Sequence, residues 1–230
     1  MTEISDIRQQ IMQRWIYRPR VIGIHGPIGA GKTTVAKILE DDLGYKRLRF
    51  AQGLKDMLYA IDLDKECVDG DRKLEPLDVL GGKTARHAQQ TLGTEWGRRM
   101  IHPDIWANIL ANRIKTEIKK FPLTSHFVID DLRFPNEYAA LREAFGGSFV
   151  SIKVRRKGVE PLEICERLAG LLGPRLTKFL LRDPRLHVSE LHWRNMPCDQ
   201  RIHNDEGLYR LCVLALQVVL RHAEEGRTRP

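Results

Sequence analysis

Gly26-Pro27-Ile28-Gly29-Ala30-Gly31-Lys32-Thr33 is the stretch that decides the fold. It fits G-x-x-x-x-G-K-[ST], the pattern of a loop that wraps a phosphate chain. Its flanks agree with that reading. Val21-Ile22-Gly23-Ile24 before it is a continuous apolar run, as expected of a strand buried on both faces. After it, Thr33 to Leu43 carries Val35, Ile38 and Leu39 at helical spacing, and Gly44 supplies a stop. Strand, glycine-rich loop and helix together aim backbone N–H groups and a helix N-terminus at one anion. In such a loop the lysine reaches the β- and γ-phosphates, and the hydroxyl after it is a ligand for Mg²⁺. The candidate ATP-binding residues are therefore Gly26, Pro27, Ile28, Gly29, Ala30, Gly31, Lys32, Thr33 and Thr34.

Working outward, Ile4, Ile7, Ile11 and Trp15 lie at helical spacing, so an amphipathic helix is expected before Arg18-Pro19-Arg20. Residues 47–50 read as a second strand. Residues 52–61 and 84–119 read as mostly helical, with a polar, irregular stretch at 62–83 between them. His126 to Asp130 is a third strand, and Pro135 opens a helix that Gly146-Gly147 closes. Residues 148–154 form a fourth strand and 201–203 a weak fifth, followed by a helix over about 206–223. Strands alternating with helices predict an α/β fold: three layers around a mostly parallel five-stranded sheet.

The second chemical signal is Val128-Ile129-Asp130-Asp131-Leu132-Arg133. An apolar strand that ends in acids, downstream of a phosphate loop, is the expected place for a carboxylate that holds a Mg²⁺-bound water. Ligands of open parallel sheets bind at the carboxyl ends of strands, so both motifs converge there. Adjacent carboxylates point in different directions: one is expected at the metal and the other at the acceptor, or one merely caps the turn. The third signal is arginine placement. Arg86, Arg98 and Arg133 fall on the presumed acceptor side, and Arg155 and Arg156 follow the fourth strand. Donor and acceptor phosphates repel each other, and planar guanidinium groups bind phosphate in a bidentate way. The arginines over 155–185 read equally well as solvated surface. A hydroxyl acceptor needs a general base, whereas a phosphate acceptor is already ionised at pH 7. No His-Arg-Asp catalytic loop is present, which favours a monophosphate acceptor.

The chain has 230 residues, a mass of 26.5 kDa and a net charge of +8. That length suits one domain with an inserted lid. With 42% hydrophobic and 30% charged residues, it is neither disordered, collagen-like nor coiled-coil. The most apolar stretch, 208–220, is too short to span a bilayer and is interrupted by Tyr209, Arg210 and Gln217. The N-terminus lacks the apolar run of a signal peptide, so a cytoplasmic protein is expected. Cys67, Cys165, Cys198 and Cys212 match no zinc or disulfide spacing and are expected to be reduced. The positive charge suits an anionic partner, nucleotide or nucleic acid. Mg²⁺ with ATP is the only metal expected, since His and Cys form no ligand cluster. His25 reads as structural. His187 reads as a cap or lid-packing residue.

These pieces, taken in order, resemble the phage-type deoxynucleoside monophosphate kinases, a branch of the P-loop nucleoside monophosphate kinases. The resemblance runs through the loop at 26–33, Phe50-Ala51 with Leu54-Lys55, and Gly81-Gly82-Lys83-Thr84-Ala85-Arg86. It continues through Leu92-Gly93-Thr94-Glu95-Trp96-Gly97-Arg98, Asp104-Ile105-Trp106 and Asp131-Leu132-Arg133-Phe134-Pro135-Asn136-Glu137. It ends with His187-Val188-Ser189-Glu190 and Ile202-His203-Asn204-Asp205. The segments at 92–98 and 131–137 are its specific part. The family often has Gly directly after Asn-Asp, whereas here Glu206 intervenes.

The resemblance implies transfer of the ATP γ-phosphoryl group to a deoxynucleoside monophosphate, giving the diphosphate and ADP. It implies a core of 18–50, 121–154 and 198–225, a monophosphate-binding region at 51–120, and a lid at 155–190 beginning with Arg155 and Arg156. Lys32, Asp131 and Arg133 are then the catalytic candidates, with Thr33 and Asp131 on Mg²⁺. Lys55, Arg86, Trp96, Arg98 and Asp130 are the acceptor-binding candidates, and Asn204 lies on the adenine side. Trp96 is expected either to stack on the acceptor or to pack as a core tryptophan. The N-terminal helix either docks on the core or forms a homodimer interface, and a viral enzyme would work in the host cytoplasm. Two other classes stay open: a P-loop kinase of a hydroxyl acceptor, and a nucleic-acid-stimulated ATPase. Residues 62–80 match nothing in the family and are the candidates for base selection.

Overall fold

A computed structural model describes residues 2–159 and 196–228. The chain divides into two compact units, Met1–Leu48 with Glu117–Pro230, and Arg49–Thr116. The first unit is built on five parallel strands: β1 (Val21–His25), β2 (Lys46–Leu48), β5 (Phe127–Ile129), β6 (Phe149–Arg155) and β7 (Gln200–His203). Their order is β2-β5-β1-β6-β7, with Ile22 level with Val128 on one side and Val150 on the other. The sheet is thus parallel throughout. The second strand stops at Leu48 rather than at residue 50, because β5 offers no partner beyond Ile129.

Every residue of β1 is buried, as an apolar strand between two helical layers must be. On one face, Ile22, Ile24, Val128, Val150, Ile152 and Val154 pack with α2 (Lys32–Leu43) and α8 (Leu208–Thr228). Helix α1 (Glu3–Gln13) adds Ile7 and Ile11 to the same core, and Arg8 makes an ion pair with Asp42 of α2. It therefore docks on its own unit through the apolar stripe seen in the sequence. Each fully buried Ile, Leu or Val here stabilises the fold by roughly 1.5–3 kcal/mol. The other face carries α7 (Pro135–Phe145), which starts at Pro135 and ends at Gly146. Its Tyr138 ring meets Phe149 edge-on, with centroids 5.7 Å apart. Asp199 ties β7 to β6 by accepting from the Ser151 N–H at 2.7 Å and the Ser151 hydroxyl at 3.0 Å.

The second unit begins with α3 (Gln52–Tyr59) and α4 (Lys65–Val68). The short antiparallel pair β3 (Pro76–Leu77) and β4 (Lys83–Thr84) follows, then α5 (Ala85–Gln90). A wide-turn π-helix spans Thr91–Ile101, and α6 (Ile105–Lys120) carries the chain back across the unit boundary. The expected helical run over 84–119 is therefore broken. Pro103 forces His102 into extended backbone, and α6 starts afresh. The stretch 62–83, polar in sequence, nevertheless contributes Leu63, Cys67 and Val68 to a small core with Leu58 and Ala85. Trp106 packs against Gly97 and donates its indole N–H to the Gly93 carbonyl at 2.9 Å. That contact links the spacing of the 92–98 segment to Asp104-Ile105-Trp106.

A buried cation sits at the opposite end of the first unit's sheet from the phosphate loop. The Arg18 guanidinium lies 3.3 Å above the Trp15 ring and donates to the Leu43 carbonyl at 2.9 Å. Its other nitrogen meets His126 Nδ1 at 3.3 Å. Arginine can only donate, so His126 accepts there as a neutral ring. Burial first, then the charges of Arg18 and Arg20, push His126 down from 6.5 to about 4. Unfolded chains take up a proton here near pH 6.5 and the folded chain only near 4, so stability is lost as pH falls through that window. We expect wild-type unfolding free energy to drop by about 2 kcal/mol between pH 7 and pH 5 from this group alone. Urea titrations at both pH values should show that loss, and His126→Gln should remove it.

Candidate active site

The loop Gly26–Gly31 leaves β1 at its carboxyl end and feeds directly into α2. Two glycines are required by the space around them. A Cβ on Gly26 would lie 2.1 Å from the Val154 carbonyl oxygen, at a φ of 143°. A Cβ on Gly31, at a φ of 101°, would lie 2.5 Å from Asn204 Nδ2. Gly31 is also the N-cap of α2, where no side chain makes a capping bond and the first turn holds no acid. A helix start of this kind presents its amides and its dipole to an anion.

Lys32 folds back over the loop, its Nζ donating to the Gly26 carbonyl at 2.7 Å and the Pro27 carbonyl at 2.8 Å. Thr33 Oγ1 donates to Asp130 Oδ2 at 3.0 Å, and Thr34 follows in the first helical turn. Asp130 is almost fully buried, and Arg47 from β2 makes an ion pair with the same oxygen. Asn204, expected on the adenine side, donates to the Ala30 carbonyl at 2.9 Å and so braces the loop. The neighbouring Asp205 accepts from the Lys157 N–H at 2.7 Å. Arg155 closes β6, and its carbonyl accepts from the Asn204 N–H at 2.8 Å; Arg156 is exposed just beyond. The rest of the expected lid, including His187, lies outside the described residues.

The first unit thus gathers Gly26, Pro27, Ile28, Gly29, Ala30, Gly31, Lys32, Thr33, Asp130 and Asn204 around one loop. Asp130, expected on the acceptor, accepts from Thr33, which is expected on the metal together with Asp131. Asp131 and Arg133 follow in a half-buried turn. That turn is held by Glu137, a buried residue whose Oε2 accepts from the Arg133 N–H at 2.9 Å and the Phe134 N–H at 3.1 Å. Sequence reasoning missed Glu137 and Arg47 as parts of the site. For Glu137 the signal was available, since it stands at the third position of a helix opened by proline.

Thr33 and Asp130 supply hard oxygen donors at hydrogen-bond distance, and among the described residues no three His, Cys, Asp or Glu side chains form a metal cluster. That donor set fits Mg²⁺, which is commonly held by one or two protein oxygens, waters and substrate phosphates rather than by a protein cage.

The remaining candidates lie in the second unit. Lys55, on α3, makes an ion pair with Asp69, which also accepts from the Tyr59 hydroxyl at 2.6 Å. Burial raises the Asp69 carboxyl, but the bonds from Lys55 and Tyr59 outweigh it and leave it below the ordinary value. The same bond pushes Tyr59 up to about 12. Arg86 is exposed on α5. Arg98 is half-buried on the π-helix and reaches the Gly93 carbonyl at 3.4 Å. Trp96 is half-buried, with its ring centroid 6.2 Å from that of Trp106, so it packs on a neighbouring tryptophan.

Gly31→Ala tests the loop geometry. It should weaken ATP binding at least about tenfold, because both the positive φ and the Asn204 contact oppose a side chain. Adding Asn204→Ala should not restore binding, since the backbone strain remains; calorimetric titration of the single and double variants reads this directly.

No family model matches the chain. A protein of Acanthamoeba polyphaga mimivirus that bears the provisional name deoxynucleotide monophosphate kinase is 31% identical over 148 residues, covering 60% of this chain and 75% of the relative. Among solved structures, the Mycobacterium tuberculosis APS kinase in complex with AMPPNP and APS is 16% identical, over 90% of this chain and 98% of that one, with a TM-score of 0.44. The dephospho-CoA kinase from Campylobacter jejuni is 17% identical, over 89% and 98%, also with a TM-score of 0.44. The mimivirus relative is matched over three quarters of its length, and the chain accordingly belongs to the deoxynucleotide monophosphate kinase family of P-loop kinases.

Proposed function

We propose that the protein transfers the γ-phosphoryl group of ATP to a deoxynucleoside monophosphate, yielding the deoxynucleoside diphosphate and ADP. The observation that carries this reading is the loop with its Thr33–Asp130 pair in a chain related to a deoxynucleotide monophosphate kinase. Bound Mg²⁺ would neutralise charge on the β- and γ-phosphates.

The protein's own residues would do the rest. The amides at the start of α2 hold the phosphate chain, and Lys32 exchanges its two loop carbonyls for phosphate oxygens. Asn204 keeps the loop in its positive-φ shape. We assign the metal-side carboxylate to Asp130, which Thr33 touches, and the acceptor side to Asp131; this exchanges the two roles expected from the sequence. Arg133, on a turn fixed by Glu137, would counter charge on the transferred group. An acceptor phosphate arrives ionised, so no residue need act as general base.

We place acceptor binding in the 51–120 region, with Lys55, Arg86 and Arg98 for its phosphate and Trp96 beside the base or sugar. We place the lid at 155–190, with Arg155 and Arg156 at its start. A closing lid would exclude water and so limit hydrolysis of ATP.

The deciding experiment supplies ATP, Mg²⁺ and each deoxynucleoside or ribonucleoside monophosphate in turn, and separates the products by chromatography. A diphosphate product is expected, and the panel gives base and sugar preference together. ADP without a diphosphate, stimulated by DNA, would replace this reading with an ATPase. Lys32→Ala should lower kcat by about a hundredfold or more through lost charge stabilisation. Arg86→Ala or Arg98→Ala should raise KM for the monophosphate more than for ATP. Equal effects on the two substrates would mean that the acceptor residues lie elsewhere.

A further inference from the structure

Arg47 belongs to no motif that the sequence reading used. It lies on the edge strand β2, in register with Val128 of β5, two residues before Asp130. Its guanidinium makes an ion pair with Asp130 Oδ2, the oxygen that also accepts from Thr33. The two side chains are 19% and 4% exposed, so the pair is largely shielded from water. Removing one partner of such a pair leaves a buried charge without compensation, unlike a surface pair, which contributes little. Carboxylates that serve a metal are commonly held by a further hydrogen-bonding group that fixes their orientation.

A second feature sets Arg47 apart. Its Nε is buried and has no hydrogen-bond partner among the described residues. In a guanidinium, Nε–H and one terminal N–H lie parallel on the same edge, a fork suited to two neighbouring oxygens. Buried donors in native proteins are usually satisfied, so the orphan beside Asp130 points to a fork that grips the carboxylate with both of its parallel N–H groups once the site is filled.

We propose that Arg47 is a positioning residue for the metal-bearing nucleotide. It acts through Asp130, holding that carboxylate oriented against Thr33, so that metal and ATP bind together. The inference rests on the assignment of Asp130 to the metal side, but not on the identity of the acceptor. In this way a residue of the edge strand, outside the loop, would set the metal affinity.

The test uses the full chain with Arg47→Met, which removes the charge, and Arg47→Lys, which keeps the charge but loses the fork. Mn²⁺ binding to the complex with a non-hydrolysable ATP analogue is followed by electron paramagnetic resonance. Analogue binding in EDTA and thermal unfolding are measured in parallel. Arg47→Met should weaken Mn²⁺ binding about 10- to 100-fold, the range for partners of metal ligands, with analogue binding in EDTA changed less than about twofold. Arg47→Lys should fall between Arg47→Met and wild type. In an Asp130→Asn background, Arg47→Met should cost little further metal affinity, because its route of action is already gone.

A lowered melting temperature with unchanged Mn²⁺ affinity would overturn the proposal and leave Arg47 as a strand tie. An equal loss of metal affinity in the Asp130→Asn background would also overturn it. Asp130→Asn with Arg47→Met replaces the buried pair by two neutral side chains, so it remains informative if Arg47→Met alone fails to fold. If wild-type protein phosphorylates no monophosphate, the acceptor assignment fails while the metal measurements still decide the role of Arg47.

Discussion

A helix that binds phosphate must begin without a cap of its own and still be held in place. Any side chain that satisfied the first amides of α2 would compete with the ligand for them. The chain meets this constraint by capping α2 with Gly31 and bracing the loop from outside. Asn204, 174 residues beyond Ala30, donates to the loop carbonyl, and the Val154 carbonyl stands where a side chain on residue 26 would be. Both come from the carboxyl end of the parallel sheet, in β6 and just after β7. The apolar packing of β1 between α2, α8 and α7 therefore positions the chemistry as well as stabilising the fold.

The charges gather around the same loop. Lys32, Thr33, Asp130 and Arg47 form an alternating set of cation, hydroxyl, carboxylate and cation within the first unit. Lys32 is held by backbone carbonyls, which an arriving phosphate can replace. Asp130 is held by side chains from two elements. The contrast has a physical basis. In the proposed reading, a lysine that follows a ligand would need exchangeable partners, whereas a carboxylate that holds a metal would need a fixed orientation. The two halves of the site are thus prepared to different degrees before ligand arrives.

Much of the fold was legible in the sequence because its signals are local. Val21–Ile24, Phe127–Ile129 and the alternating residues 148–154 carry strand signals, and Pro135 and Gly146 bracket α7. Other features were not legible, for equally specific reasons. The π-helix at Thr91–Ile101 has turns wider than the spacing by which helices are recognised in sequence. Leu63, Cys67 and Val68 sit in a stretch too polar on average to announce the core they complete. Arg18 stands in an Arg-Pro-Arg that ends the first helix, yet Trp15, Tyr45 and His126 surround it.

The sequence by itself determined that a strand, a glycine-rich loop and a helix would follow one another, that acids would stand at the end of a neighbouring strand, and that the sheet would be mostly parallel. These follow from hydrophobic periodicity, from backbone conformations open chiefly to glycine, and from the chemistry of adjacent residues. Only the tertiary structure decided which acid meets Thr33, that Arg47 pairs with it from 83 positions away, and that Asn204 braces the loop. Asp130 and Asp131 are the same residue type side by side, and nothing local distinguishes them. Which of them meets α2 is set by the exit of β5, and that depends on its register with β1 and β2. Contacts between distant residues are consequences of that register and of the packed faces, so they exist only once the sheet is assembled.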